Sequence, residues 1–488
     1  MNYSLIIYII GWILNIEAAF MVMPCAVGLI YGESEGFAFF LVMLACAACG
    51  TLLVIHKPKK TNFYLKEGFV TVALSWIILS VIGALPFVIS GDIPRYMDAL
   101  FETVSGFTTT GGSILSDIEG LSKCSLFWRS FTNWIGGMGV LVFLLIIMPL
   151  TGGSYMTLMK AESPGPSAEK LVPKVRYTAG ILYGIYIGMT IVVILFLLFG
   201  GMDLFEAVTT SFGVAGTGGF AIWNESLMSA SPYIQWVVTI FIILFGVNFG
   251  VYYLLLMGKL KSAFKHEEMR VYFGIIVISV ILILISVYPR FESVGEALRH
   301  VCFQVGSIIT TTGFVSVDYD LWPQSAKTIL TLLMFVGACA GSTGGGIKVQ
   351  RMIILVKTFS KEVFTYLHPR SIKKIKSDGK MLEHEVIRAT NVYMIAYILV
   401  FSASVLLVSF ENKDMITSFT AVATSLNNVG PGFELVGPTC NFSVLSDFSK
   451  CILMFDMLAG RLELFPLLLL FCPSVWKREK RRKKDNKG

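Results

Sequence analysis

The chain has 488 residues, 55% of them apolar and 15% charged, with a formal net charge of +7 and a mean hydropathy of +0.73. That balance excludes a soluble globular protein, whose surface needs more charge. Long unbroken apolar runs exclude a β-barrel, whose strands alternate.

In chain order, the apolar runs predict about ten spanning helices. Residues 5–30 and 36–54 form a leading pair joined by a short turn. The N-terminal run is too long for a signal-peptide core and lacks a basic n-region, so it is expected to stay as a first helix. Four further pairs follow, at 70–90 with 126–150, 178–198 with 233–256, 271–287 with 326–355, and 390–408 with 448–471. Inside each pair lies an apolar stretch too short to cross, since crossing takes roughly 20 residues. These stretches are LFETVSGFTTTGGS at 100–113, AVTTSFGVAGTGGF at 207–220, FQVGSIITTTGF at 303–314 and FTAVATSLNNVGPGF at 419–433. The expected fold is an all-α integral membrane protein with two leading helices, then four pseudo-repeated helix–pore loop–helix units around a central ion pore. Its divisions are 1–64 for the leading helices, 65–160, 161–265, 266–370 and 371–476 for the four units, and 477–488 for a basic tail.

Lysine and arginine concentrate in alternate loops, among them Lys57, Lys59, Lys60 and Lys66, Lys160, Lys170, Lys174 and Arg176, Lys259, Lys261, Lys265 and Arg270, the segment 351–388 and the tail. The basic side is expected to be cytoplasmic, with both termini, so that the pore stretches enter from outside. The tail reads as positive-inside anchoring, with an acidic lipid or a cytosolic partner as the alternative. The longest cytoplasmic segment, 357–389, is too short for a nucleotide-binding domain, so nucleotide control would need a separate subunit.

A bare cation in a membrane needs its hydration shell replaced, which rings of backbone carbonyls do. Glycine permits the φ values that turn successive carbonyls toward one axis, and threonine adds a small hydroxyl ligand. A short helix before each strip points its partly negative C-terminus at the centre. The expected potassium-binding filter is Thr109, Thr110 and Gly111, Thr217, Gly218 and Gly219, Thr311, Thr312 and Gly313, and Asn428, Val429 and Gly430. Carbonyls at Thr110–Gly111, Gly218–Gly219, Thr312–Gly313 and Val429–Gly430 would form the main site. Val429 replaces a threonine, so the pore is expected to be only pseudo-fourfold.

These strips, with WRSFTNWIGGMGV (128–140), CAGSTGGGIKV (339–349) and MLAGRLELF (457–465), resemble the Trk/Ktr/HKT superfamily of potassium transporters, and most closely its TrkH-type subunits. The resemblance spans nearly the whole chain. It implies a potassium pathway of four non-identical repeats, a homodimer with one pore per protomer, and a cytosolic nucleotide-binding TrkA-type regulatory subunit. Potassium is the expected bound ion, with no covalently bound cofactor, and no nucleic-acid partner is expected. In this superfamily a serine at the first filter glycine goes with sodium permeation, and here that position is Gly111. One departure is Gly112–Ser113, where a larger residue commonly follows the glycine.

Closure is expected below the filter. Gly341, Gly344, Gly345 and Gly346 would unwind the long helix 326–355, the one irregular stretch expected in a second helix, with Lys348 and Arg461 beside it as intramembrane charges. The plainer alternatives are snorkelling for Lys348 and an ion pair with Asp456 or Glu463 for Arg461. GSTGGGIK at 341–348 fails the phosphate-loop pattern and follows no strand. Glu17 is expected to be structural or at a dimer contact. Trp128, Trp134 and Trp236 are expected to face the membrane or its interface, and Asp203 and Glu206 to open the second pore helix. Cys124 and Cys440 could meet in a bridge outside, and the scattered histidines offer no metal site.

Three function classes compete. A potassium-conducting uptake protein accounts for the four strips. A tightly sodium- or proton-coupled secondary transporter would favour inverted repeats, whereas these repeats share one direction. A membrane enzyme would need a catalytic constellation, and none is present in the sequence.

Overall fold

The computed structural model describes residues 1–58, 65–147, 175–371 and 374–476. Lys59, Lys60, Lys160, Lys170, Lys174, Lys373, the end of the expected helix 126–150 and the tail 477–488 lie outside the described residues. What is described is mostly helical, with one hairpin of two short strands, Lys376–Ser377 and Lys380–Met381.

The leading helices Tyr3–Tyr31 and Gly36–Ile55 pack through glycines. A Cβ on Gly28 would stand 2.9 Å from the Gly36 Cα, and one on Gly11 2.8 Å from the Leu53 Cβ. Small residues are what let two helix backbones approach this closely in a membrane. Among the described residues six helices are long and apolar enough to cross, and the bent pair Pro232–Phe245 and Phe249–Leu256 makes a seventh if it is counted as one span.

The four pore stretches each fold as a short helix, at Tyr96–Phe107, Leu204–Gly216, Val294–Ile309 and Met415–Asn427. Polar caps start three of them. Asp203 and Glu206 form a capping box, Ser293 accepts from Glu296 N, and Asp414 accepts from Thr417 N. The loops that follow them join neighbouring units. Asn224 bonds Asp117, Ile118 and Glu119, and Leu227 N reaches Val315 O at 3.0 Å. Asp320 takes Lys327 and Glu434 N, and Arg95–Asp447 and Lys450–Asp98 close the fourth unit onto the first at 2.9 and 2.6 Å.

The second helices depart from expectation. The third is indeed broken, stopping at Val336 and resuming at Val349, but it is not the one irregular stretch. The second bends by 91° at 246–248, where Asn248 caps a new helix. The fourth stops at Arg461, passes Glu463 and Leu464 at φ 56° and 66°, and restarts at Phe465–Leu470. The reason is local: Asn248 bonds forward to Gly250 N, and Pro466 has no N–H to continue the preceding helix. The segment 357–389 is likewise no long loop, because helix Val349–Leu367 runs into it and helix His384–Ser409 starts within it.

Several single-residue expectations change as well. Trp128 is fully buried and donates to Gly83 O at 3.0 Å, so it faces the interior rather than lipid. Glu17 is 1% exposed within one protomer, which removes it from any dimer contact. Cys124 is buried and Cys440 exposed, and both are free thiols. No metal-holding cluster of His, Cys, Asp and Glu occurs among the described residues.

Candidate functional site: a four-strip ring above a helix break

All four pore helices end alike. A residue in the left-handed region follows each one: Thr109 (φ 53°), Thr217 (49°), Thr311 (56°) and Asn428 (55°). Two residues later comes a glycine with positive φ: Gly111 (80°), Gly219 (68°), Gly313 (83°) and Gly430 (102°). Between them the N–H groups of Thr110, Gly218, Thr312 and Val429 reach back to Ser105, Gly213, Ser307 and Thr424 at 2.8, 2.9, 2.8 and 2.8 Å. This is the Schellman closure, which satisfies otherwise orphaned helix carbonyls. It is unusual here because non-glycine residues hold the left-handed positions, at roughly 1–2 kcal/mol each. Val429 does not disturb it, so the fourth strip matches the other three in backbone despite its different side chains.

The glycines interlock. A Cβ on Gly111 would stand 2.3 Å from Gly218 O, and on Gly219 1.9 Å from Thr312 O. On Gly313 it would be 2.2 Å from Val429 O, and on Gly430 2.8 Å from Thr110 O. The contacts pass from first strip to second, third, fourth and back to the first. Thr110, Gly218, Thr312 and Val429 therefore contribute their carbonyls to one closed ring, and no side chain larger than hydrogen fits between them.

The threonine side chains are also placed within the strips, and the Thr109 hydroxyl is buried without a hydrogen-bond partner. Thr110 and Thr312 hydroxyls bond Thr108 and Thr310 at 2.8 and 2.7 Å, and Asn428 Nδ2 donates to Thr110 Oγ1 at 3.0 Å. These bonds tie the wall together. Asn428 also donates to Met457 O at 2.9 Å, linking its strip to the fourth inner helix.

On the side of the ring facing the loops after the pore helices lies a cavity of about 130 Å³, reached by Gly111, Gly219, Gly313 and Pro431 from the four strips. Phe442, from the fourth unit, covers Gly112: a Cβ there would meet its ring at 3.1 Å. The small residue of the departure Gly112–Ser113 thus makes room for this ring. Behind the first strip sits a buried pair that sequence reasoning missed. Glu102 accepts from Arg129 Nε at 2.5 Å, from Ile114 N at 3.1 Å and from Ser113. Arg129 also donates to Ala221 O at 2.5 Å and lies 3.7 Å over the Phe220 ring. It therefore braces the first strip against the second. Glu102 is the lone charge in its pore stretch, and an intramembrane charge of that kind is a signal in itself.

On the opposite side, the break in the third unit lies against the strips. Gly337, Gly341 and Gly346 have φ 72°, 68° and 75°. A Cβ on Gly344 would stand 2.8 Å from Thr310 O, and on Gly345 2.4 Å from Asn427 O. Gly345 N donates to Thr311 Oγ1 at 2.5 Å, and Thr217 Oγ1 to Thr343 Oγ1 at 3.2 Å. The loop 337–348 thus touches the second, third and fourth strips from below. It is also laced into the bend of the second unit, with Cys339 N to Gly246 O and Phe249 N to Gly341 O, each at 3.0 Å.

Both expected cations are here. Arg461 donates to Thr343 O at 2.8 Å and to Gly136 O at 2.6 Å. It does not pair with Asp456 or Glu463, because Asp456 accepts from Ser404 and Glu463 pairs with Arg351. Lys348 is not on a helix as expected. It sits in the break at φ 80°, 5% exposed, and its ammonium bonds Gly344 O, so it does not snorkel. Arg461 joins Lys348 and Arg351 only in space, as does the carboxylate of Glu268, which sequence reasoning passed over because it precedes the helix expected at 271–287.

Comparison with known proteins follows the same lines. The family model for TrkH, described as cation transport protein, matches residues 35–478. The Escherichia coli K12 Trk system potassium uptake protein TrkH is 35% identical over 98% of this chain and 100% of its own length. TrkG of the same organism is 32% identical, over 96% and 97%. The crystal structure of the potassium transporter TrkH from Vibrio parahaemolyticus superposes with a TM-score of 0.87 at 31% identity, covering 98% of this chain and all of that one.

Proposed function

This chain belongs to the TrkH family of cation transport proteins, and from that premise we propose that it takes up potassium across the cytoplasmic membrane through the four-strip ring. The observation that carries the proposal is the closed sequence of glycine–carbonyl contacts from Gly111 to Gly430. Carbonyls at fixed spacing replace a hydration shell, and the ring has four of them at one level. The potassium ion is the transported species at these strips and the only cation they are proposed to hold. The basic side is assigned to the cytoplasm, which puts the 130 Å³ cavity outside.

The loop 337–348 is the proposed gate. Lys348 and Arg461 bring positive charge beneath a narrow pathway, where each repels an incoming cation by about 1–4 kcal/mol at close range. That is tenfold or more in entry rate. Opening requires the loop to leave the strips, and pulling on helix Val349–Leu367 is the direct way to move it. The chain supplies no domain to do so among its described residues, which supports a separate cytosolic nucleotide-binding subunit of TrkA type. Its docking region is the basic face around Lys357, Arg370, Lys374 and Arg388. A homodimer with one pore per protomer, in contact with lipid, completes the proposal.

A tightly coupled sodium- or proton-driven transporter is the second reading. The common direction of the four pore helices supports a pore instead. Flux of potassium and sodium into proteoliposomes tests both. Potassium flux that follows the membrane potential without a sodium or proton gradient is expected. Flux that stops without such a gradient would transfer the protein to the coupled class.

A further inference from the structure

The break in the third unit is held from outside the pore by a carboxylate that nothing above has used. Glu268 stands in the first turn of helix Glu267–Val287 and is 3% exposed. Its Oε1 accepts from Ala340 N at 2.6 Å and from Gln350 N at 3.1 Å. Ala340 lies at the near end of the loop and Gln350 in the first turn of the helix that follows it. One oxygen therefore spans both ends of the break. Two backbone N–H donors on one carboxylate are charge-assisted bonds, roughly twice as strong as neutral ones. The second sits at a helix N-terminus, where an anion is further favoured.

The neighbouring residue faces the other way. Glu267 Oε1 pairs with Lys357 of helix Val349–Leu367 at 2.5 Å. Its backbone N–H donates to Asp378 Oδ1 at 2.6 Å, at the turn of the hairpin Lys376–Met381. Asp378 Oδ2 is also 3.6 Å from His266 Nε2, and Lys357 Nζ donates to Lys376 O at 2.7 Å. The hairpin, Glu267 and Lys357 thus form one exposed cluster, joined by a single peptide bond to the buried carboxylate.

We propose that Glu268 is a positioning residue that latches the loop 337–348 closed, and that the hairpin Lys376–Met381 sets the latch through Glu267. The proposal rests on the reading of that loop as the gate. A partner that draws the hairpin away separates Asp378 from the Glu267 N–H and Lys376 O from Lys357. The first turn of helix Glu267–Val287 and the start of helix Val349–Leu367 then lose the fixed geometry in which one oxygen meets both Ala340 and Gln350. Side-chain substitutions in the hairpin should therefore reach the pore without touching it. Lys348, Arg351 and Glu463 lie on the pore side of the same break and act on the loop separately.

The test is potassium flux into proteoliposomes holding the full chain without any partner. Glu268→Ala should raise flux about tenfold, with the potassium-to-sodium ratio unchanged. Glu268→Gln keeps the volume and one acceptor oxygen and should raise it about threefold; if Glu268→Ala fails to fold, this variant decides. Asp378→Ala should also raise flux, and combining it with Glu268→Ala should add nothing further, because both act on one route. Wild-type flux in well-folded Glu268→Ala or Glu268→Gln overturns the latch. Multiplying effects of the two sites overturn the coupling to the hairpin. Deletion of residues 344–346, run in parallel, separates this from the gate reading. If the deletion raises flux and the Glu268 variants do not, the latch is wrong and the gate stands. If neither does, both fall.

Discussion

Substitution of Gly219 by alanine puts the ring under the most severe local test. Its added Cβ would stand 1.9 Å from Thr312 O, more than 1 Å inside the 3.0 Å that real Cβ atoms keep. The neighbour is backbone, so no flexible side chain can give way. Gly219 also sits at φ 68°, which adds roughly 1–2 kcal/mol for any L residue. The Thr312 carbonyl must therefore move by about an ångström, a displacement far larger than closely packed interiors absorb without rearrangement. At roughly 1.4 kcal/mol per factor of ten, losing a single ion–carbonyl contact of a few kcal/mol erases at least tenfold of potassium preference. Gly430→Ala meets Thr110 O at 2.8 Å and should lose less. Gly184→Ala, in an apolar helix with nothing within 4 Å of the new Cβ, is the control and should transport normally. Reversal potentials in potassium and sodium, or paired flux measurements, give the ratio. Wild-type selectivity in folded Gly219→Ala, or a greater loss in Gly430→Ala, would refute the ring as the selective element.

Three other outcomes are expected. Arg461→Ala removes two charge-assisted bonds to Thr343 O and Gly136 O, so partner-free flux should rise about tenfold with selectivity nearly intact, read from flux into proteoliposomes. Arg129→Met leaves Glu102 buried without its cation and should destabilise the protein by about 3–5 kcal/mol, seen as a lower melting temperature in detergent, while Glu102→Gln with Arg129→Met should recover part of the loss. Glu411 is lifted by partial burial but held below its usual 4.5 by hydrogen bonds from Ser446 and Ser449; its contribution is present above pH 4.5 and is lost as pH falls below it, so Glu411→Gln should melt with a shallower acid dependence in that window.

How the sequence and the fold divide the explanation is clearest at particular residues. The four strips were legible because their information is local. A short apolar stretch cannot span, Gly and Thr at its end permit one kind of turn, and four copies at roughly 100-residue spacing leave few architectures. The glycines of 341–346 were legible as a break for the same reason. Breaks at 246–248 and 462–464 were not, although Asn248 and Pro466 supply their local cause, because one asparagine or one proline in a long apolar run also fits a continuous or merely kinked helix, and close packing against the pore helices goes with the break. Gly460 illustrates this: a Cβ there would stand 2.0 Å from Leu426 O. Partner choice was the other hidden quantity. Arg461 had two carboxylates close by in sequence and took carbonyls from Thr343 and Gly136 instead, while Glu463 went to Arg351. Trp128, apolar and aromatic, could as well have faced lipid as the core. Composition and periodicity state what a segment can do alone. Which carbonyl a glycine meets, and which charge answers an arginine, depend on residues far apart in the chain, and only their approach in three dimensions settles them.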